Sequence, residues 1–185
     1  MGKLNAPYAI KAVVFCTEAP GGIPRGVFPC APPRRLSNLS KACLSCVVQL
    51  VAEYGDGILQ LPVVYASRHG ELERTHALFE EWREYGEMSP AGFSLSVHNA
   101  TASLLGLASH NQNNSTTLAA GESSLAMGIL EASMFCRNGG DCLLVYGDTY
   151  PELNSAALLI TSGDSTPLPS TFSELQTTWN TNSRP

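Results

Sequence analysis

The residues with the clearest chemical potential are Gly121–Ser123, which lie between an apolar run and a helix-like segment. A serine at a sharp strand-to-helix turn is the arrangement of a hydrolase nucleophile elbow. Leu125 stands where that motif has its second glycine, and only scattered acids such as Asp148 and Asp164 could join a triad. No histidine follows Ser123 in the sequence. A serine hydrolase using Ser123 is one hypothesis; a serine in the first turn of a helix, without chemistry, is the alternative.

The cysteines offer a second kind of chemistry. Cys43-x-x-Cys46 has the spacing of a redox pair, but it lies on a helical pattern without the strand-to-helix context that activates such thiols. No second cysteine or histidine pair completes a zinc site. Cys136 and Cys142 lie in apolar segments, which makes a thiol enzyme a weaker hypothesis. We therefore expect reduced, buried cysteines, no metal and no cofactor.

Two polar groups could bind a ligand or a partner. His98 and Asn99 interrupt an apolar segment, where a histidine is either a substrate or carrier contact or, more commonly, a hydrogen-bonded packing residue. Arg68 follows an apolar strand and precedes a helix, a position where loops of α/β folds carry function. Arg68 is either a contact for a carrier phosphate or a partner carboxylate, or a solvated helix entry.

The elements that position these residues alternate between strands and helices. Apolar runs predict strands at residues 9–16, 58–66, 116–120, 142–146 and 156–161. Helical spacing predicts helices at residues 36–54, 72–85, 90–107 and 122–135. This order predicts an α/β fold with a mixed sheet of about five strands and helices packed on it. We expect one domain over residues 1–162, a surface loop at 21–33 and a loose, polar tail at 163–185.

The composition narrows the function. A net charge of -5 and a pI near 5.3 argue against a nucleic-acid binder, and the basic clusters (34–35 and 68–74) are short. Only 15% of the residues are charged, which indicates that a partner covers part of the surface. No apolar run is long enough to span a membrane, and residues 1–4 lead into no apolar signal core, so a cytoplasmic location is expected.

Several short motifs in combination resemble beta-ketoacyl synthases of the thiolase superfamily, and more closely the short synthase-like proteins called chain length factors. The resemblance extends over residues 9–161. The motifs are Ser67-Arg68-His69-Gly70-Glu71-Leu72, Ser96-Val97-His98-Asn99, Ser115-Thr116-Thr117-Leu118-Ala119-Ala120-Gly121 and Gly139-Gly140-Asp141.

The same resemblance predicts that this chain is not a catalyst. In an active synthase the strand before the central helix leads into a nucleophilic cysteine, and counting back from Gly139 places that site at Gly121, which has no side chain. Active synthases also use two histidines from a C-terminal half that has no counterpart here. None of His69, His76, His98 and His110 matches those positions, so no catalytic residue is carried over.

What the resemblance implies instead is a heterodimer with a full-length beta-ketoacyl synthase in fatty acid or polyketide biosynthesis, including aryl polyenes, with an acyl carrier protein as an indirect partner. Synthases dimerise through the strand before the nucleophile and the helix preceding it. The predicted interface residues are Phe93, Val97, Asn99, Thr116, Thr117, Leu118, Ala119 and Ala120. The predicted substrate-tunnel or carrier contacts are His98, Leu104 and Arg68.

Overall fold

The computed structural model describes residues 5–24, 26–32 and 36–182. The basic pair Arg34-Arg35, Pro33 of the predicted surface loop and residues 1–4 lie outside these ranges. Within them the elements are β1 (Asn5–Cys16), α1 (Asn38–Tyr54), β2 (Val63–Ala66), α2 (Leu72–Tyr85), α3 (Pro90–Ser94), α4 (Ala100–Ser109), β3 (Ser115–Leu118), α5 (Ser124–Cys136), β4 (Asp141–Asp148), β5 (Asn154–Pro167) and α6 (Phe172–Asn182). Single turns of 3₁₀-helix form at Asp56–Gln60 and Gly121–Ser123.

The five strands form one mixed sheet in the order β1-β5-β4-β2-β3. β2 is parallel to both β3 and β4, whereas β5 is antiparallel to β4 and β1. The predicted α/β class and the mixed sheet of about five strands are therefore confirmed. β3 is an edge strand, and β2 lies between β3 and β4.

Side-chain alternation along the strands divides the core into two layers, because successive residues point to opposite faces. On β2, Val63 and Tyr65 pack with α1 and α4, whereas Val64 and Ala66 pack with α5 and α6. The α5 layer lies very close to the sheet: a Cβ on Gly128 would stand 2.7 Å from the Cβ of Ala66. Glycine at this position therefore sets how near the helix approaches β2.

The predicted strand at residues 58–66 is too long, since its first part is the 3₁₀ turn Asp56–Gln60. Ile58 and Leu59 are buried in that turn, which explains why the run is apolar without being a strand. The predicted strand 116–120 is shifted: β3 begins at Ser115 and ends at Leu118, so Ala119 and Ala120 follow it.

The predicted helix at residues 90–107 is broken between α3 and α4, and two of its large apolar side chains face solvent. Phe93 is 59% exposed and Leu107 is 69% exposed. The hydroxyls of Ser94 and Ser96 donate to the carbonyls of Ala91 and Phe93. Such local bonds compete with helical ones, which accounts for the break at this serine-rich point.

The expectation of a loose tail at residues 163–185 is wrong for the part that the structure describes. β5 continues to Pro167, and α6 follows it. Phe172 stacks on Tyr146 and meets the edge of Phe15, and Leu175 is 2% exposed. These contacts hold a mostly polar helix against the sheet.

Among the described residues, no helix combines the length and the apolar character that crossing a bilayer requires. The cytoplasmic location stays a prediction.

Candidate functional site

The candidate site lies at the carboxyl ends of the three parallel strands. The loop of residues 67–70 follows β2, Gly121 comes shortly after β3, and Asp148 ends β4. Ligands of α/β sheets bind at this edge, beside the point where the strand order reverses. Here the chain passes from β2 outward to β3 and then back over β2 to β4.

Asp148 is a buried carboxylate, 4% exposed, that organises the loop after β2. Its Oδ1 accepts hydrogen bonds from the Ser67 hydroxyl at 3.0 Å and from the backbone N–H of His69 at 3.0 Å. The backbone N–H of Arg68 donates to both carboxylate oxygens, and the Tyr146 hydroxyl donates to Oδ2 at 2.9 Å. Burial, followed by the charge of Asp148, raises the pKa of Tyr146, so this phenol stays a donor.

The two histidines of the site hold the same loop. Nδ1 of His69 lies 3.6 Å from Oδ1 of Asp148. The Nε2 of His98 is 2.9 Å from the carbonyl oxygen of Ser67, and the His98 ring tilts against Tyr65. Gly70 has a φ of +56°, and a Cβ there would come within 2.9 Å of the His98 ring. The observed contacts of His98 are those of a packing residue.

A second buried carboxylate, Glu71, ties the start of α2 to its neighbours. Its Oε1 accepts from the hydroxyls of Ser37, Ser40 and Thr101 at 2.8, 2.9 and 3.3 Å. Ser37 also caps α1, since its side chain accepts the backbone N–H of Ser40. Glu71 therefore joins the amino ends of α1, α2 and α4.

Gly121 forms the turn between β3 and α5, with a φ of +58° and with no atom within 4 Å of the place that a Cβ would take. The turn is closed by the buried hydroxyl of Ser124, which accepts the N–H of Ala120 and donates to the carbonyl of Gly121. The predicted nucleophile position is thus a left-handed, open turn at the start of a helix. The space beside Gly121 is open, and the residue carries no side chain to fill it.

Arg68 lies beside this turn. Its guanidinium Nη1 is 3.5 Å from Oε1 of Glu122, and the two side chains are 44% and 86% exposed. An ion pair this exposed contributes little to stability. The contact does show that the loop after β2 and the turn after β3 lie on one surface.

Three of the buried cysteines have thiols that are hard to deprotonate. Burial raises the pKa of Cys46 to about 12, that of Cys142 to about 12 and that of Cys136 to about 11. A thiol with a raised pKa supplies little thiolate near neutral pH. The described cysteines are free and form no group that could hold a metal ion with other described residues.

Ser123 is exposed, and no described histidine or carboxylate donates to or accepts from its hydroxyl. The structure does bring together a histidine and an aspartate, His69 and Asp148, but the Asp148 oxygens are taken up by the loop after β2. The geometry therefore gives no support to a hydrolase triad around Ser123.

Of the predicted interface residues, Thr116, Thr117 and Leu118 lie on the edge strand β3, and Ala119 and Ala120 follow it. The backbone N–H groups of Val63 and Ser67 donate to the carbonyls of Asn114 and Leu118. Since backbone groups alternate along a strand, those of Thr116 and Leu118 face β2. The backbone groups of Ser115 and Thr117 therefore point away from the sheet, where no described strand pairs with them.

A groove of about 420 Å³ runs beside this open edge. It lies between β3 and the outer face of α4, and its lining includes Asn99, Ser103, Gly106, His110, Ser115 and Thr117. Asn99 is exposed and Val97 is 38% exposed, whereas Leu104 is 6% exposed within α4. The assignment of Leu104, His98 and Arg68 to a substrate tunnel or carrier contact stays a prediction.

Sequence reasoning missed Asp148 and Glu71 as organising residues. Asp148 could have been found, because Ser67 directly follows one predicted strand and Asp148 lies just beyond another, and these two strands are neighbours in the sheet. Glu71 left no such signal, since its partners come from the starts of two other helices, α1 and α4, which are distant in sequence.

Comparison with known proteins agrees with this geometry. The family model described as beta-ketoacyl synthase, N-terminal domain, matches residues 18–176. A solved chain from the structure of a ketosynthase (ApeO) in complex with its chain length factor (ApeC) from Xenorhabdus doucetiae is similar, with 25% sequence identity and a TM-score of 0.68. The alignment covers 88% of this chain and 81% of that chain, so the two are of similar length. No curated protein matches. The predicted thiolase-like half-fold is confirmed.

Proposed function

Because the chain belongs to the beta-ketoacyl synthase N-terminal domain family, we propose that it is a chain length factor-like, non-catalytic subunit that pairs with a full-length beta-ketoacyl synthase. The observation that carries the proposal is Gly121. It occupies the turn at the amino end of α5, the position at which the sequence resemblance predicts the family's nucleophile, and glycine has no side chain with which to form a thioester.

The open edge of β3 supports pairing. An unpaired edge strand is a liability in a monomer, and a partner strand would satisfy the outward groups of Ser115 and Thr117. On its α4 side the groove beside it carries Ala102, Ser103 and Gly106 together with the exposed, apolar Leu107, a surface that a partner could cover. The similarity to a chain from a ketosynthase–chain length factor complex favours the same arrangement.

In such a pair this chain would shape the far end of the acyl tunnel rather than bind the acyl group covalently. The exposed Phe93 and Val97, which precede α4, are the candidates for limiting the growing chain. The product class that we propose is a type II fatty acid or polyketide, with aryl polyenes included. The acyl carrier protein would then be recognised by the synthase subunit.

The test is co-expression of this chain with a full-length beta-ketoacyl synthase from the same organism. We expect a one-to-one complex by size-exclusion chromatography with light scattering, and condensation of acyl carrier-bound substrates by the pair. The chain alone should not condense them. A chain that remains monomeric beside the synthase, or that condenses acyl groups unaided, would overturn the proposal, and labelling of Ser123 by a fluorophosphonate would favour the hydrolase.

A further inference from the structure

The Cys43-x-x-Cys46 spacing resembles a redox pair in the sequence, but it does not form one in the folded chain. Both residues lie within α1, where side chains three positions apart have Cβ atoms about 5–6 Å from each other. A disulfide requires about 3.5–4.5 Å between Cβ atoms. The helix therefore keeps these two thiols apart for as long as it is folded.

The two thiols also face different strands. The thiol of Cys43 donates to the carbonyl oxygen of Tyr146 on β4, with 3.7 Å between sulfur and oxygen. The Sγ of Cys46 lies 3.5 Å from the hydroxyl oxygen of Ser155 on β5. A disulfide partner for Cys46 must therefore lie close to Ser155.

Cys16, the last residue of β1, is that neighbour. Cys16 and Ser155 are directly opposed in the antiparallel pair of β1 and β5, and the Ser155 hydroxyl donates to the carbonyl oxygen of Cys16 at 2.9 Å. Opposed residues of neighbouring strands have their side chains on the same face of a sheet. Cys16 packs in the same core layer as Cys46, and its thiol is a side-chain hydrogen-bond partner of Cys46. The fold thus brings together two thiols that are distant in sequence.

The two thiols differ in their access to solvent. Cys46 is fully buried, whereas Cys16 is partly exposed and is followed by the exposed Thr17 and Glu18. A small oxidant therefore reaches Cys16 first, and Cys46 lies behind it. Two features of redox-sensing cysteines, solvent access of one thiol and a neighbouring thiol that resolves its oxidised form, are present here.

We infer that Cys16 and Cys46 are an oxidation site, at which hydrogen peroxide converts the two thiols to a disulfide. The Cys16 sulfur attacks the peroxide, so that an S–O bond forms as the O–O bond breaks, and a sulfenic acid and one water result. The Cys46 sulfur then attacks the Cys16 sulfur, and the sulfenic oxygen leaves as a second water with the proton of Cys46. Both thiols are oxidised, and the peroxide is reduced to two waters.

The crosslink joins the end of β1 to α1. Between these two elements, over residues 17–37, the described residues form neither helix nor strand. A disulfide that closes a long loop stabilises the folded state, mainly by restricting the unfolded one. β1 lies at the opposite end of the sheet from the open edge of β3, so the inference does not rest on the proposed function.

The experiment treats the folded chain with hydrogen peroxide, blocks the remaining thiols by alkylation and maps crosslinks by mass spectrometry of its peptides. All forms carry Cys30→Ser, because the exposed Cys30 could join two chains. We expect a disulfide between Cys16 and Cys46 that dithiothreitol reduces. The chain unfolded in urea is the control for the role of the fold, and it should give a mixture of pairings.

Two matched substitutions in α1 identify the partner of Cys16. Cys43→Ser should retain the crosslink, because Cys43 faces β4. Cys46→Ser should abolish it and leave the sulfenic acid of Cys16 unresolved, so that labelling of Cys16 by a dimedone probe rises at least about tenfold. Circular dichroism establishes that each variant is folded before oxidation.

A second measurement needs no substitution at either cysteine. Burial raises the pKa of the reduced Cys46 to about 12, so the unfolded state loses this proton first and stability falls as pH rises above about 9. The oxidised Cys46 has no proton to lose. The alkaline fall in the free energy of unfolding should therefore be shallower in the oxidised chain than in the reduced one.

Several results would overturn the inference. They are a disulfide between Cys43 and Cys46 in the folded chain, an equal alkaline slope in both forms, oxidation of Cys16 to a sulfinic acid without a crosslink, and a folded chain whose thiols survive the peroxide unchanged. Pairing with a synthase is measured separately by co-purification, so none of these results decides the proposed function.

Discussion

Two buried carboxylates, Asp148 and Glu71, hold the candidate site in place. Asp148 accepts every donor that the loop after β2 directs toward it, and Glu71 accepts three hydroxyls from α1 and α4. A carboxylate that is fully occupied by hydrogen bonds is a poor base, but it fixes its partners firmly. The exposed Arg68 is thus presented on a backbone with little freedom.

The anchoring role of Asp148 predicts a large loss of stability in Asp148→Asn. An amide presents two N–H donors where the loop already directs donors, so at least one buried group loses its partner. We expect the free energy of unfolding to fall by about 2–4 kcal/mol in urea titrations.

The matched control is Asp141→Asn. Asp141 pairs with Lys11 at 2.8 Å, and both side chains are partly exposed. That change should cost less than about 1 kcal/mol. Equal losses at the two aspartates would contradict the assignment of Asp148 as the anchor.

The backbone of Gly121 makes a second prediction at the residue scale. A left-handed φ costs a residue with a side chain about 1–2 kcal/mol, whereas the space around the absent Cβ is open. Gly121→Ala should therefore lower the free energy of unfolding by about 1 kcal/mol without disrupting pairing.

Gly57 is the control for this substitution. Its surroundings are equally open, but its φ lies outside the left-handed region. Gly57→Ala should be neutral within about 0.5 kcal/mol. If both alanine variants behave alike, the turn at Gly121 is not strained for other residues, and its glycine has another cause.

At the scale of elements, β3 has two inequivalent sets of backbone groups. Thr116 and Leu118 share the ladder with β2, whereas the N–H of Thr117 points to the open edge. Proline removes one N–H and is tolerated on the outer side of an edge strand. Thr117→Pro should therefore leave the chain folded and abolish its complex with the synthase, as measured by co-purification.

Thr116→Pro provides the contrast, because it removes an N–H on the side of β2. It should lower the melting temperature of the isolated chain by several degrees, while Thr117→Pro changes it little. Retention of the complex by Thr117→Pro would show that β3 does not accept a partner strand.

Element order was predictable because buried strands and amphipathic helices leave strong local patterns, as in residues 36–54 and 142–146. A predicted element was wrong where contacts between distant parts of the chain decide the structure. α6 forms because Phe172 meets Phe15 and Tyr146, residues of strands far away in the chain. The split between α3 and α4 has a local cause instead, the bonds of the Ser94 and Ser96 hydroxyls to nearby carbonyls, which apolar periodicity does not reveal.

The site was predictable in part. The strand-to-helix turn at Gly121 was predicted from the sequence, and Gly121 does lie between β3 and α5, whereas its equivalence to a nucleophile position stays a prediction. The roles of Asp148 and Glu71 could not be read from local patterns, since a buried carboxylate is recognised only by the donors that surround it. Those donors reach Glu71 from α1 and α4, whose relative placement is a property of the whole fold.

At the scale of the whole molecule, the two core layers both bury thiols. Cys43 and Cys46 lie in the layer of α1, and Cys136 and Cys142 lie in the layer of α5. Burial is the largest cause of the raised pKa at each. These thiols are therefore protonated in the native core. As a result, the free energy of unfolding depends on pH in the alkaline range.

The sign of that coupling follows from the shifts. Cys46 and Cys142 have pKa values of about 12 in the native state, against 9.0 for an unperturbed thiol. Below pH 9 both states keep the proton, so stability does not depend on these groups. Between pH 9 and 12 the unfolded state loses the proton first, and the free energy of unfolding falls as pH rises, by at most about 1.4 kcal/mol per pH unit for each thiol.

Urea unfolding under reducing conditions from pH 8 to 10.5 measures this slope, and Cys46→Ala should make it shallower. Cys30→Ala is the control, because Cys30 is exposed and its removal should leave the slope unchanged. If Cys46→Ala retains the slope of the unaltered chain, the alkaline loss comes from other groups, and the buried thiol of Cys46 is not what couples the core to pH.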